Sequence, residues 1–144
     1  MLIYLDICCF NRPYDDQVQP LIRLETEAKL LIQGEIIKRN LDLAWSFILR
    51  YENNDNPFKD KRNRISAWES IATKRIAPSQ NVLELTKDLM KLGIRTKDAT
   101  HLACAIFADA AYFVTTDKKL LNKNVKGITI INPLEFVRGF FDAH

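Results

Sequence analysis

Four short apolar runs punctuate the chain: Leu2 to Leu5, Leu41 to Ala44, Tyr112 to Thr115 and Ile128 to Ile131. They are too short for core helices, and as a set they are rich in branched and aromatic side chains, which predicts buried β-strands. The third could pass for a helix end on period alone, but a helical stretch precedes it and a polar turn follows it. The segments between them carry helical spacing. Leu21, Leu24, Ala28, Leu31 and Ile32 form one stripe, and Ile65, Trp68, Ile71 and Ala72 form another. Thr96 is placed to cap a helix with Ala99, Leu102, Ala103, Ile106 and Ala110 on one face. Asn132, Pro133, Leu134 and Glu135 read as an N-cap, a first-turn proline and a capping-box acid, opening a last helix through Val137, Phe140 and Phe141. Strands alternating with helices predict an α/β fold, a three-layer α/β/α sandwich around a mainly parallel central sheet.

The turn-forming stretch Asn53, Asn54, Asp55, Asn56 and Pro57 separates two helices and not two domains. With 144 residues, no repeat and no low-complexity tract, residues 1–144 are expected to form one domain. No apolar run approaches the roughly 20 residues needed to span a bilayer, so no membrane role is expected. The start, Met1 to Asp6, lacks a basic leader and meets an acid early, which predicts a cytoplasmic protein. Three cysteines, two of them adjacent at Cys8 and Cys9, fit neither a disulfide framework nor zinc-ligand spacing, and they read as reduced apolar residues. The net charge of +3 is mild, but basic residues bunch at Lys59, Lys61, Arg62 and Arg64 and again at Lys118, Lys119, Lys123 and Lys126. Such bunching suits a phosphate backbone, although a solvated helix face also explains it.

In open parallel sheets, ligands bind beyond the carboxyl ends of the strands. Asp6 follows the first strand and Asp117 follows the run Tyr112 to Thr116, so adjacent strands would bring both carboxylates to one edge. A helix or turn cap is the plain alternative for either residue. Asp98 lies in the first turn of its helix, where the dipole favours negative charge, yet at about 100° per residue it falls at the border of the apolar stripe. Glu52 lies one turn after Ile48 and Leu49 on a helix that Ser46 can start. Four converging carboxylates repel one another and raise their pKa values unless a cation compensates. Mg²⁺ or Mn²⁺ suits an all-oxygen site that also takes substrate phosphate. Histidine chemistry is not expected, because His101 and His144 are the only two, and His101 reads as a surface or hydrogen-bonded helix residue.

With these residues in place, the sequence resembles the PIN-domain family, small α/β nucleases that include the ribonuclease toxins of bacterial and archaeal toxin and antitoxin pairs. The resemblance runs over nearly the whole chain. It is carried by Ile3 to Asp6, by Ser46 to Glu52, by Lys97, Asp98, Ala99, Thr100, His101, Leu102 and Ala103, by Val114 to Asp117, and by Asn132 to Phe136. It implies a metal-dependent endoribonuclease in which Asp6, Glu52, Asp98 and Asp117 hold Mg²⁺ or Mn²⁺ against the scissile phosphate of RNA. Glu25 and Glu27 precede the second strand, whereas the family's glutamate follows it, which favours Glu52. Where many relatives carry threonine or serine after the first aspartate, this chain has Ile7. Thr116 is expected to supply a hydroxyl near the metal, and Asn11 and Arg12 to contact a phosphate.

Other sites on similar sheets fit less well. An aspartate-nucleophile phosphatase wants Asp-x-Asp after the first strand, but Asp6 is followed by Ile7 and Cys8. A receiver domain wants an acidic pair before the end of its first strand, and four glycines with no G-x-x-x-x-G-K-[ST] motif leave no nucleotide-cradling loop. The rival reading is a PIN-like module that binds RNA or protein without turnover. If the chain is a toxin, an antitoxin is expected to lay a helix or an extended arm against the groove near the acids. The helix from Leu21 to Ile36 could bury its stripe in a homodimer, with the chain's own core the more natural cover.

Overall fold

The computed structural model describes residues 1–143. Five strands form one sheet: β1 (Leu2–Leu5), β2 (Asp42–Ser46), β3 (Lys74–Ile76), β4 (Tyr112–Val114) and β5 (Thr129–Ile131). All pairings are parallel and the order is β3-β2-β1-β4-β5. Helices α1 (Ile7–Asn11), α2 (Pro20–Ile37), α3 (Phe47–Asn54), α4 (Lys59–Ser66), α5 (Trp68–Ile71), α6 (Gln80–Met90), α7 (Thr96–Phe107), α8 (Lys118–Leu121) and α9 (Pro133–Ala143) connect and cover it. α2 packs on α9 and α6 packs on α7, so the sheet lies between two helical layers, as the alternation of elements predicts. Ile3, Tyr4, Leu5, Leu43, Ala44, Phe113 and Val114 are fully enclosed, because a parallel sheet covered on both faces needs apolar residues at successive positions.

From β1 the chain steps outward to β2 and β3, then returns past β1 to β4. That reversal places a topological switch point between β1 and β4, the position where such sheets open a crevice for ligands. The register Leu5 opposite Val114 brings the ends of these two strands level.

Several elements differ from the sequence expectation. β2 starts one residue later and runs on to Ser46, β4 stops at Val114 and β5 starts at Thr129. β3, α1, α6 and α8 are additional, and the single stripe expected from Ile65 to Ala72 is divided between α4 and α5. β3 escapes the hydrophobic pattern because it is a three-residue edge strand with Lys74 and Arg75 exposed. Ser79 caps α6 by accepting from the Val82 N–H at 3.2 Å. Ser46 caps α3 as expected, and Asn132 Oδ1 accepts from the Glu135 N–H at 2.8 Å. Thr96 is not a cap: Arg95 holds that position without a side-chain bond, and Thr96 is already helical.

The largest departure is the rotation of α2. Ala28 and Ile32 face inward as expected, but Leu21, Leu24 and Leu31 are each about half exposed, and Glu25, Lys29, Gln33 and Ile36 take the inner face with Ile32. Two spacings compete on this helix, one through Leu21, Leu24, Ala28 and Leu31 and one through Glu25, Lys29, Ile32 and Ile36. Tertiary partners favour the second. Arg12 Nε donates to Glu25 Oε1 at 2.8 Å, and Ile32 and Ile36 join the core, which outweighs enclosing Lys29 beside the Phe10 ring. Phe141, expected on the inner stripe of α9, is likewise 44% exposed. No helix of the described residues is long and apolar enough to cross a membrane.

Candidate active site

Asp6 leaves β1 and caps α1, its Oδ1 accepting from the Ile7 N–H at 2.8 Å. Its Oδ2 accepts the Thr115 hydroxyl at 2.9 Å, and the Cys8 thiol lies 3.5 Å from the same oxygen. The Thr115 hydroxyl oxygen accepts in turn from the Asp117 N–H at 3.1 Å. Asp117 caps α8, accepting from Lys119 N–H at 2.8 Å and Leu120 N–H at 3.4 Å. The capping reading of both aspartates therefore holds, and it coexists with their meeting at one sheet edge. One buried hydroxyl joins the two strand ends.

Asp98 enters from the first turn of α7, half-buried. Burial, followed by the negative charges of Asp6 and Asp117, pushes its carboxyl above the ordinary aspartate range, while His101 and Arg95 pull the other way. Three of the four predicted acids thus share one field. Glu52 joins them through His101, whose Nε2 is hydrogen-bonded to Glu52 Oε1 and lies 3.9 Å from Asp6 Oδ1.

His101 is the residue that sequence reasoning underrated. It is 1% exposed and sits at the end of a buried chain of polar groups. Ser46 Oγ, already accepting from the Leu49 N–H, is 2.6 Å from Tyr4 Oη, which is 2.6 Å from His101 Nδ1. Burial, with the negative charges of Asp6 and Glu52 nearby, raises the Tyr4 phenol well above its ordinary value and keeps it protonated. For a neutral ring the phenol donates to Nδ1 and the Nε2–H donates to Glu52, so every proton in the chain has an acceptor. Burial disfavours an imidazolium here, but the Glu52 hydrogen bond and the charges of Asp6, Glu52 and Asp98 outweigh it and raise the His101 pKa. The available signal was position: His101 is one turn beyond Asp98, on the face that Leu102 and Ala105 also bury.

The secondary candidates divide. Asn11 lines a groove of about 210 Å³ with Ile7, Glu52, Asn56 and Lys61, beside the acids. Arg12 is occupied within the fold, with Nε on Glu25 and Nη1 on Asp15 at 2.7 Å, so it ties the first loop to α2. The hydroxyl beside Asp6 belongs to Thr115, not to Thr116. Thr116 offers its backbone N–H to Cys8 Sγ at 3.3 Å, because consecutive residues of an extended chain point to opposite sides. Cys8 and Thr115 together line Asp6 on the side where Ile7 offers no hydroxyl.

Among the described residues, no three acidic, histidine or cysteine side chains already surround a single point as a metal cage. The donor set nevertheless suits a hard divalent ion. It is carboxylate-rich, one member is held at raised pKa by its neighbours, and Mg²⁺ keeps several waters and needs few protein oxygens.

An α/β/α sandwich with a parallel five-stranded sheet and acids gathered at its switch point has the PIN-like fold. Solved structures with a similar chain include VapBC2 from Rickettsia felis bound to a DNA fragment from its promoter, at 19% identity and TM-score 0.58, covering 92% of this chain and 98% of that one. DNA-bound VapBC from Salmonella typhimurium matches at 15% identity and TM-score 0.55, over 92% and 99% of the two chains. VapBC-1 from nontypeable Haemophilus influenzae matches at 15% and 0.58, over 92% and 98%. At these identities the likeness is one of fold. No family model matches the sequence, and no curated protein matches it.

Proposed function

We propose that this chain is a metal-dependent endoribonuclease that hydrolyses RNA phosphodiesters at Asp6, Glu52, Asp98 and Asp117. The observation that carries the reading is the Thr115 hydroxyl bridging Asp6 and the Asp117 backbone at the β1 and β4 switch point, with Asp98 in the field of both aspartates. Carboxylates crowded in this way are costly in an apoprotein unless the crowding serves a cation. When bound, Mg²⁺ or Mn²⁺ would neutralise charge on the scissile phosphate and acidify a water for attack.

The chain's own residues have separate tasks in this scheme. Asp6, fixed by Ile7 N–H and Thr115, presents a carboxylate that cannot swing away. His101 aims Glu52 at the cluster and is itself aimed by Tyr4. Asp98, held short of its ordinary acidity, gains most from a cation. Asp117 divides its oxygens between the cap of α8 and the site.

The test is incubation of purified protein with labelled RNA and Mn²⁺ or Mg²⁺. Cleavage is expected, and it should stop with EDTA and with Asp98→Asn; cleavage that survives both would show that another agent does the cutting. The second reading, an inactive RNA- or protein-binding module, is favoured by the absence of a three-ligand cage among the described residues. RNA binding without cleavage under every metal condition would select it.

The reading includes a protein partner. The VapBC neighbours support an antitoxin, and the half-exposed Leu21, Leu24 and Leu31 support association through α2, with an antitoxin or a second copy. Light scattering of the chain alone and after co-expression with a neighbouring small reading frame separates these: a monomer in both settings would remove the partner from the proposal.

A further inference from the structure

The basic residues that bunch in the sequence are redistributed by the fold. Arg62 of the first bunch is held by the Asn56 carbonyl at 3.0 Å, and Lys61 lies 5.3 Å from the centre of the Tyr14 ring. From the second bunch, Lys119 and Lys123 turn into a groove of about 270 Å³, where they meet Arg95, a residue of neither bunch. Gly93, Ile94, Asp98 and Leu120 complete its walls.

Three features set this groove apart. First, Asp98 lines it, so the groove opens directly from the acid cluster. Second, none of its three cations makes an ion-pair contact among the described residues, although acids are close by. Lys123 is instead steadied by the Leu92 carbonyl at 3.2 Å, and Gly93, at φ +85°, leaves room beside its Nζ. Third, the groove that Glu52 lines has the opposite balance, with Lys61 sharing its walls with both Glu52 and Asp55. Three cations against one carboxylate favour an anion; one cation against two carboxylates does not.

We infer that the Arg95, Lys119 and Lys123 groove is a phosphodiester-binding subsite that holds a phosphate of the substrate strand next to the one being cut. The strand enters asymmetrically. One flank of the scissile bond is gripped electrostatically on the α7 and α8 side, and the other leaves past Asn11 and Lys61 with a looser hold. Two of the three cations ride on one short segment whose start is capped by Asp117, so the subsite and the acid cluster share a rigid support.

This inference rests on the nuclease reading but is tested apart from turnover. Binding of a short fluorescein-labelled single-stranded RNA is followed by anisotropy in EDTA, where nothing is cut, over a series of salt concentrations. The triple variant Arg95→Ala, Lys119→Ala, Lys123→Ala is compared with Arg23→Ala, Lys87→Ala, Arg138→Ala, which removes equal charge from exposed positions outside the groove. The groove variant should bind about tenfold or more weakly and lower the slope of log affinity against log salt by about 0.7, the contribution of one single-strand phosphate contact. The control should change little. Lys119→Glu alone, at an exposed position, should act in the same direction if the triple variant proves unstable. Equal effects of the groove and control variants would overturn the subsite while leaving the nuclease reading intact. Failure of the unmodified protein to bind RNA in EDTA would overturn the subsite, whereas only the absence of cleavage with Mn²⁺ or Mg²⁺ would overturn the nuclease reading.

Discussion

Thr115 Oγ1 donates to Asp6 Oδ2 at 2.9 Å across 109 positions of sequence, and both groups are buried. The contact exists because β1 and β4 are parallel neighbours whose ends are level. Thr115→Val keeps the shape and removes the donor, leaving a buried carboxylate short of one partner. We expect a loss of about 1–3 kcal/mol in stability and a fall in RNA cleavage, both largely restored by Thr115→Ser. Chemical denaturation and single-turnover assays measure the two effects, and a Val variant as active as the parent would remove Thr115 from the site.

The relay through His101 makes a second prediction. Tyr4→Phe deletes one hydroxyl from a fully enclosed ring, leaving His101 Nδ1 and Ser46 Oγ without their shared partner. If His101 positions Glu52, Mn²⁺ affinity should drop severalfold and the ¹⁵N shifts of the His101 ring should move, with the fold intact. Unchanged ring shifts would show that the phenol does not set the state of the imidazole.

Asp98→Asn tests the crowding of charge. The Asp98 carboxyl is raised by burial and by Asp6 and Asp117, so the ionised form is disfavoured in the folded chain and its cost grows as pH rises above the ordinary aspartate value. In EDTA at neutral pH the Asn variant should therefore melt higher, by about 2 °C. Mn²⁺ should stabilise the parent and fail to stabilise the variant. A variant that melts lower in EDTA would mean that Asp98 is not under repulsion.

Lys29 provides a pH signature away from the acids. It is 4% exposed with an aromatic ring as its neighbour, and burial pulls its pKa down to about 8. Below pH 8 both folded and unfolded chains carry the ammonium, and the folded state bears the full cost of enclosing it. Between pH 8 and the ordinary value of 10.5, the unfolded chain binds more protons, so stability rises with pH through that window. Lys29→Met should stabilise the protein at pH 7 by up to roughly 3 kcal/mol, with the advantage shrinking above pH 8. A constant difference across that range would contradict the assignment.

The rotation of α2 is checked by a pair of truncations. Ile32→Ala, at a buried position, should cost about 2–5 kcal/mol, whereas Leu24→Ala, at a position 47% exposed, should cost under about 1 kcal/mol. Equal costs would restore the sequence's own choice of face, or show that a partner covers Leu24.

Local chemistry made the acids and most of the elements legible. Apolar runs bounded by turns are strands wherever the chain is long enough to cover them, and Asp6 and Asp117 were visible as acids that follow such runs, where each caps the next helix. β3 was not, since an edge strand of three residues with two exposed cations has no hydrophobic period to show. The choice between Thr115 and Thr116 was equally hidden, because it turns on where β4 ends and which way the next side chain points.

The alternation of strands and helices, and the acids that follow the strands, can be read from neighbouring residues, because periodicity and capping act within a few positions. Long-range packing sets which face of α2 is buried, which hydroxyl bonds Asp6, and the joining of Glu52 to Tyr4 through His101. These depend on pairings between residues far apart in the chain. Such pairings are fixed by strand order and register, where a buried polar group must find its partner wherever the fold supplies one.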